Sequence, residues 1–231
     1  MERLRLTLTP RIAPALVDQL IASLSGATGV VTLEGAGAGT FCLGLDGAWA
    51  MRASADEARA LFRRYALLCE AVAATPGPSV ALVDGAAAGG GLALAAAADM
   101  VIATPGSSFA LPEVLVGLVP AVAFPWVARR AGAMRARRLA MSAASITAEE
   151  ALAIGLVDEI AADLEKAAAG HIRRWSRADP RALTQLKRIA STYDLGDAIE
   201  RIGSLLASPE TRARIALAEA GEAPWPRDDD E

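Results

Sequence analysis

A glycine-rich turn, followed at some distance by an acidic residue, is the feature of this sequence best suited to chemistry. The β-branched segment Ser79–Val83 enters a turn at Asp84 and Gly85, and Gly89–Gly91 then open an apolar, alanine-rich helix. Glycines at a helix N-terminus leave backbone N–H groups bare, with the positive end of the helix dipole behind them. Such donors stabilise an oxygen atom that becomes negative during a reaction, so the turn is a candidate oxyanion hole.

Other uses of a glycine-rich turn fit this sequence less well. A dinucleotide-binding turn needs the pattern G-x-G-x-x-G, whereas Gly89–Gly91 are consecutive. A phosphate-binding P-loop needs Lys and Ser or Thr after its last glycine, and Leu92 and Ala93 follow here. Close packing of the helix stays open as a purely structural alternative.

Several further segments surround the glycine run in a characteristic order. They are 41–46 (FCLGLD), 83–91 (VDGAAAGGG), 99–103 (DMVIA), 108–120 (SFALPEVLVGLVP) and 146–158 (ITAEEALAIGLVD). Together they resemble the enoyl-CoA hydratase/isomerase (crotonase) superfamily over roughly residues 29 to 160. The resemblance implies an α/β protein with the crotonase-like (ClpP/crotonase) spiral of ββα units and a C-terminal helical extension.

The resemblance also implies which residues form the site. The backbone N–H groups of Leu45 and Gly90 are expected to hold a thioester oxygen as it becomes an enolate, with Gly44, Asp46 and Gly89 beside the substrate. Backbone donors cannot swing away, and glycine allows the thioester close to the main chain. The coenzyme A or phosphopantetheine thioester is then part of the substrate, and neither a separate cofactor nor a metal is expected.

One of the two acids used by hydratases of this family is missing. Their first glutamate corresponds to Ala93 here, and the second corresponds to Glu113, which follows Pro112. Hydration needs a held water and a proton donor, a task shared by two carboxylates, whereas one base suffices for a 1,3-proton shift. Desolvation in an apolar cleft would raise the pKa of Glu113 towards neutrality. We therefore expect an isomerase that converts 3-enoyl to 2-enoyl thioesters, with Glu113 as the catalytic residue.

Three other functions remain in view. An enoyl-CoA hydratase or dehydratase, including one in polyketide biosynthesis, would take its missing acid from Asp46 or from the substrate. A non-catalytic, crotonase-like partner subunit is favoured by Ala93 and opposed by the retention of Glu113. Decarboxylation is disfavoured because Glu113 would repel a substrate carboxylate. Without the resemblance, Glu113 would be interpreted as a first-turn acid after Pro112.

Two segments depart from the family pattern. Thr9-Pro10 is predicted to lead directly into a helix, where relatives have a longer segment beside the coenzyme A side of the cleft. This raises the hypothesis that an acyl carrier protein delivers the acyl group. After Pro120, Phe124 and Trp126 are candidates to narrow the acyl pocket or to pack in the core. Five arginines could contact a phosphate or an acidic carrier, or form a solvated helix face: Arg129, Arg130, Arg135, Arg137 and Arg138.

Composition indicates a cytoplasmic enzyme. The 231 residues are 53% hydrophobic and 22% charged, with net charge −4 and mean hydropathy +0.33. No basic excess indicates nucleic-acid binding, and the apolar stretch 85–98 is too short and glycine-rich to span a membrane. Segment 1–6 lacks the apolar core of a signal peptide. Cys42 and Cys69 have no metal-site spacing, and the single histidine, His171, lies outside every motif.

Strands and helices are predicted to alternate up to about residue 160. Strands are expected at 3–8, 29–34, 79–83, 100–103 and 156–160, and helices at 10–24, 55–74, 90–98 and from 148 to Gly155. Capping boxes at Ser54 and Thr147 mark two of these helices. Residues 1–160 are assigned to the core with the thioester site, and 161–231 to a helical region with starts at Asp179-Pro180 and Ser208-Pro209. The resemblance implies that this region supports a homotrimer or hexamer and covers the active site.

Overall fold

The computed structural model describes residues 2–37, 39–178, 180–190, 203 and 205–222. The strands are β1 (Arg3–Leu8), β2 (Val30–Gly35), β3 (Thr40–Cys42), β4 (Ser79–Val83), β5 (Ala86–Ala88), β6 (Met100–Ala103), β7 (Ser108–Ala110), β8 (Ile146–Thr147) and β9 (Glu159–Ile160). The helices are α1 (Pro14–Ser25), α2 (Gly47–Ala50), α3 (Ala55–Ala73), α4 (Gly90–Ala97), α5 (Ala123–Ala131), α6 (Ala133–Ser142), α7 (Ala148–Ala153), α8 (Leu164–Trp175), α9 (Pro180–Ala190) and α10 (Pro209–Glu219), with a 3₁₀ turn at Glu113–Val116.

Two sheets share these strands. The first is fully parallel with order β1-β2-β4-β6-β9, and the second has order β3-β5-β7-β8, antiparallel only between β7 and β8. Each of the pairs β2–β3, β4–β5 and β6–β7 gives one strand to each sheet, and a helix comes next along the chain. This is the predicted α/β spiral of ββα units.

Helix α4 lies at the centre of the molecule. Its residues from Gly91 to Ala97 are all buried, which explains why no polar face occurs in this segment. A β-carbon at Gly91 would collide with the carbonyl oxygen of Cys42 in β3. Close packing is therefore the role of the third glycine in the run.

Local signals predicted several element ends correctly. Ser54 and Glu57 form the capping box of α3, and Thr147 and Glu150 form that of α7. The side chain of Ser208 caps α10 by accepting a hydrogen bond from the Thr211 amide. The other predicted start in this region includes Asp179, which lies outside the described residues.

The N-terminal helix begins later than predicted, at Pro14 and not at Pro10. Residues 10–12 are not helical because they bond to the loop after β3, where Leu43 N donates to Pro10 O at 2.8 Å. Pro14 occupies the first helical turn, where its missing N–H costs nothing. The predicted strand 156–160 is also shorter, forming only as β9.

The short strands of the second sheet were not predicted. β5 consists of three alanines and β7 is only three residues long. Neither has the β-branched pattern of a strand, so pairing with neighbours distant in sequence determines their conformation. In the described part of the chain, no helix combines the length and apolar character needed to cross a membrane.

Candidate active site

A cavity of about 490 Å³ opens beside the glycine run. Six parts of the chain form its walls: residues 11–12, the loop after β3 together with α2, helix α3, the Gly89–Gly90 turn, the segment from Pro112 to Ala123, and α10 with the residues after it. These parts are far apart in sequence. The cavity therefore exists only because the spiral brings them together.

Two predicted backbone donors meet at this cavity. Leu45 and Gly90 both line it. Gly44 has φ +83°, and a β-carbon there would lie 2.8 Å from the Gly90 nitrogen, so only glycine allows the two loops this close. Within the described residues, neither the Leu45 amide nor the Gly90 amide donates to a protein acceptor. Both N–H groups therefore belong to residues at the cavity and have no protein acceptor among the described residues.

Ile12, just before α1, forms a parallel bridge to the loop that carries Leu45. Ile12 N donates to Gly44 O at 2.7 Å, and Asp46 N donates to Ile12 O at 3.1 Å. In extended backbone, successive N–H groups point to opposite sides. Because the Asp46 amide faces Ile12, the Leu45 amide faces away from it.

Glu113 lines the same cavity and lies beside Gly89. It begins the 3₁₀ turn, lines the cavity, and its Oε1 lies 3.1 Å from where a β-carbon at Gly89 would be. Its Oε2 is buried and has no hydrogen-bond partner among the described residues. Desolvation raises the pKa of Glu113 from 4.5 to about 7. A carboxyl group with this pKa can accept and return a proton near neutral pH.

No second carboxyl group stands beside Glu113 among the residues proposed to supply one. Ala93 is fully buried in α4. The Asp46 side chain caps α2, accepting from Ala48 N at 2.9 Å and Trp49 N at 3.3 Å, and it does not line the cavity. Glu219 and Glu222 do line the cavity, but both are exposed.

Asp46, Phe124 and Trp126, which were predicted to lie beside the substrate, do not line this cavity. Phe124 and Trp126 lie on α5 and do not line the cavity. Trp126 is 4% exposed and belongs to the core, with the Arg129 guanidinium over its ring at 5.1 Å. The helix turns both side chains towards the core because α5 packs against α4 and α6.

Other side chains form the apolar wall instead. Leu61, Phe62 and Tyr65 reach the cavity from α3, and Ile215 reaches it from α10. The spacing of Leu61, Phe62 and Tyr65 marks one face of a helix, which sequence alone indicates as core-facing. Sequence reasoning did not assign these residues to the site, since a core face and a cavity wall have the same pattern.

The arginines considered for phosphate or carrier binding differ in their surroundings. Arg130 donates to the carbonyls of Ala96 and Ala98 and pairs with Asp158 at 2.8 Å, so its role is structural. Arg137 and Arg138 are exposed on α6. Among the described residues that line the cavity, Arg11 is the cationic one, and it pairs with Glu219 at 3.6 Å.

The single histidine and the two cysteines all lie outside the residues that line the cavity. His171 Nε2 lies 2.6 Å from Glu159 Oε2, and the imidazole ring contacts the Trp175 ring. Cys42 and Cys69 are buried and unpaired with each other. In the ranges that the structure describes, no group of three or more His, Cys, Asp or Glu side chains is arranged to hold a metal ion.

The family model for enoyl-CoA hydratase/isomerase matches residues 11–198. The chain therefore belongs to the enoyl-CoA hydratase/isomerase family, as the fold and the paired amides indicate.

Among curated relatives, the probable enoyl-CoA hydratase EchA17 of Mycobacterium tuberculosis is 39% identical over 173 residues, covering 73% of this chain and 64% of the relative. The bacillaene synthase dehydratase PksH of Bacillus subtilis is 29% identical over 158 residues, covering 64% of this chain and 61% of PksH. This chain thus spans a little under two thirds of the length of these relatives.

Solved structures resemble the whole fold. An enoyl-CoA hydratase from Mycobacterium avium is 30% identical with a TM-score of 0.84, covering 95% of this chain and 92% of that chain. AtuE from Pseudomonas aeruginosa is 34% identical with a TM-score of 0.77, covering 96% of this chain and 95% of that chain.

Proposed function

We propose that this protein is an enoyl-thioester isomerase that moves a double bond from C3 to C2 of an acyl thioester. Glu113 is the single base, and the amides of Leu45 and Gly90 hold the thioester oxygen. The observation that carries the proposal is the position of Glu113, which has a raised pKa and lines the same cavity as Leu45 and Gly90, while Ala93 occupies the place of the second acid.

Each step of this reaction has a group to perform it. The Glu113 carboxylate removes a proton from C2 of the 3-enoyl thioester, and the electron pair forms a C1–C2 double bond while the thioester oxygen becomes negative. The Leu45 and Gly90 amides stabilise that enolate oxygen. Protonated Glu113 then returns its proton to C4, the electron pair on oxygen re-forms the carbonyl, and a conjugated 2-enoyl thioester results.

The thioester can be carried by coenzyme A or by the phosphopantetheine arm of an acyl carrier protein. Arg11 at the cavity is the group placed to meet a phosphate in either case, in competition with Glu219. The apolar wall formed by Leu61, Phe62 and Ile215 suits a hydrocarbon acyl chain.

The test is turnover of a 3-enoyl thioester in deuterated water, followed by ultraviolet absorbance and mass spectrometry, with wild type beside Glu113→Gln. We expect a conjugated 2-enoyl product with wild type. The variant should be slower by about 10³-fold, because general base catalysis is lost while the shape of the side chain is kept. A product that forms equally fast with the variant would exclude Glu113 as the base.

A hydratase or dehydratase is the second candidate, and the printed names of the relatives favour it. EchA17 is named a hydratase and PksH a dehydratase. Under this alternative the substrate or bound water would replace the second carboxylate. A 3-hydroxyacyl product in the same assay would favour it over the isomerase. If thioesters on both carriers remain unchanged, a non-catalytic partner subunit becomes the better proposal.

A further inference from the structure

Tyr65 is a polar residue of the cavity that the proposed chemistry does not use. It lies on α3, lines the cavity, and is 6% exposed. Its hydroxyl donates to the carbonyl oxygen of Gly90 at 2.6 Å. The residue thus connects a separate helix to the glycine whose amide is the proposed donor.

The Tyr65 ring also explains why residue 90 is glycine. A β-carbon at this position would lie 3.0 Å from the Tyr65 hydroxyl oxygen and 3.1 Å from Cζ, closer than most real contacts. Any larger residue would push the phenol away from the main chain. The contact between Tyr65 and the main chain therefore requires glycine at position 90.

Close main-chain packing of Gly91 on Cys42 and of Gly44 on Gly90 locates the first turn of α4. Its N-cap is Gly89, with φ 51° and ψ −121°, and no side chain caps the helix there. Glycine is the most flexible residue, so a turn of consecutive glycines tolerates several directions of the Gly90 N–H. Among the hydrogen bonds of the described residues, that of Tyr65 is the one that a side chain makes to Gly90.

Packing alone does not require the hydroxyl, because phenylalanine would fill nearly the same space. Burying a hydroxyl costs free energy unless it finds a partner. Desolvation raises the pKa of Tyr65 well above its usual value, so the hydroxyl remains a donor wherever Glu113 is active.

We propose that Tyr65 is a positioning residue of the oxyanion hole. Its hydrogen bond fixes the Gly90–Gly91 peptide, and this restricts rotation about the Gly90 Cα so that the N–H of the preceding Gly89–Gly90 peptide points at the thioester oxygen. The inference rests on the proposed function, since it gives Tyr65 a task in enolate stabilisation. Preorganised donors contribute to catalysis only when they already point at the developing charge.

The experiment compares Tyr65→Phe with Cys69→Ala. Cys69 lies one turn further along α3, is fully buried and does not line the cavity, so its variant disturbs the same helix packing without touching Gly90. Two readouts are measured: kcat and KM for a 3-enoyl thioester, and the absorption of a bound dimethylaminocinnamoyl thioester. That chromophore shifts to longer wavelength when hydrogen bonds polarise its carbonyl oxygen.

For Tyr65→Phe we expect kcat to fall about tenfold, KM to change less than about twofold, and the absorption shift to shrink. Cys69→Ala should leave all three unchanged even where it lowers the melting temperature. An unchanged shift and kcat in Tyr65→Phe, or equal losses in both variants, would overturn the positioning role.

Failure of the proposed function would look different. Wild type itself would then leave 3-enoyl thioesters unchanged. If wild type nevertheless shifts the chromophore and Tyr65→Phe reduces that shift, positioning by Tyr65 stands while the isomerase proposal falls. If wild type gives no shift, the oxyanion hole and the role of Tyr65 fall together.

Discussion

Burial of the Glu113 carboxyl group is unfavourable for folding, and its proposed role in catalysis explains why an acid occupies this position. A buried carboxyl group without a partner is destabilising when ionised, and it is the raised pKa that suits it to proton transfer. Asp46 shows the opposite case. Its carboxylate accepts two amide hydrogen bonds at the start of α2, which is a structural use of an acid.

The pH dependence of stability follows from the pKa of Glu113. The unfolded chain releases this proton near pH 4.5 and the folded protein near pH 7, so the free energy of unfolding falls as pH rises through that window. Glu113→Gln removes the titration. At about pH 8 the variant should be more stable than wild type by up to about 3 kcal/mol, and the difference should disappear towards pH 4.

Urea unfolding of both proteins across this pH range measures the effect. A stability difference that stays constant with pH would mean that Glu113 titrates normally in the folded protein. The same window should appear in the activity, with kcat/KM rising with pH to a plateau above about pH 7, because the base must be ionised.

Gly44 should be as important to activity as the Leu45 and Gly90 amides, because it allows their two loops to approach each other. Gly44→Ala places a β-carbon 2.8 Å from the Gly90 nitrogen, which would block or turn that amide. We expect kcat to fall by about 10²-fold, the effect of losing one oxyanion-hole donor.

The matched control for Gly44→Ala is Gly132→Ala. Gly132 has a similar φ, +84°, and a β-carbon there meets nothing within 4 Å. Both variants should lose stability from backbone strain, on the order of 1–3 kcal/mol. Equal activity losses in the two variants would show that strain, and not the Gly90 contact, limits Gly44→Ala.

At the scale of elements, the site depends on short segments held by neighbours. Hydrogen bonds from residues 10–12 fix the loop that carries Leu45, and α10 brings Ile215 and Ala218 to the cavity. The division into a core of residues 1–160 and a helical region of 161–231 stays a prediction. Residues from both parts line the cavity.

Among the described residues of helix α9, Lys187 makes three hydrogen bonds to the core, and Thr184 Oγ1 adds one to Pro76 O at 2.9 Å. Lys187 Nζ donates to Asp99 Oδ2 at 2.6 Å, to Thr75 Oγ1 at 2.8 Å and to Gly77 O at 2.9 Å. Lys187→Met keeps the length of the side chain but leaves these acceptors without their charged donor. The protein should lose on the order of 2 kcal/mol of stability.

Lys166→Met, on the exposed surface of α8, is the control for Lys187→Met and should change stability little. Thermal unfolding of both variants measures the difference. A Lys187→Met protein as stable as the control would mean that α9 is held by other contacts.

For the whole molecule, the arrangement of two sheets explains how one cavity collects residues from six parts of the chain. Each ββα unit adds a strand to both sheets, so the loops after successive units gather at one place. The loop with Leu45 follows β3, and the glycine turn follows β5. Repetition of the unit is what brings their amides together.

The resemblance to the family implies a homotrimer, or a hexamer built from two trimers. Three chains of 23.8 kDa would give a particle of about 71 kDa. Light scattering after size-exclusion chromatography measures this mass. A particle with the mass of one chain at micromolar concentration would contradict the expectation.

The sequence by itself determined what depends on neighbouring residues. Capping boxes at Ser54 and Thr147 act within four residues, and the glycine run marks a bare helix start. The order of the motifs indicated the family and singled out Glu113. These features can be predicted because their physical causes lie within a few residues along the chain.

Only the tertiary structure decided which residues share the cavity. The alanine strand β5 forms through pairing with its neighbours. The Asp46 side chain caps a helix. Leu61, Phe62 and Tyr65 line the cavity, and Phe124 and Trp126 do not. Helical spacing places a side chain on an apolar face but does not say whether that face meets core or cavity. The approach of Gly44 to Gly90 and the Tyr65 hydrogen bond depend on contacts between distant segments, which no local pattern encodes.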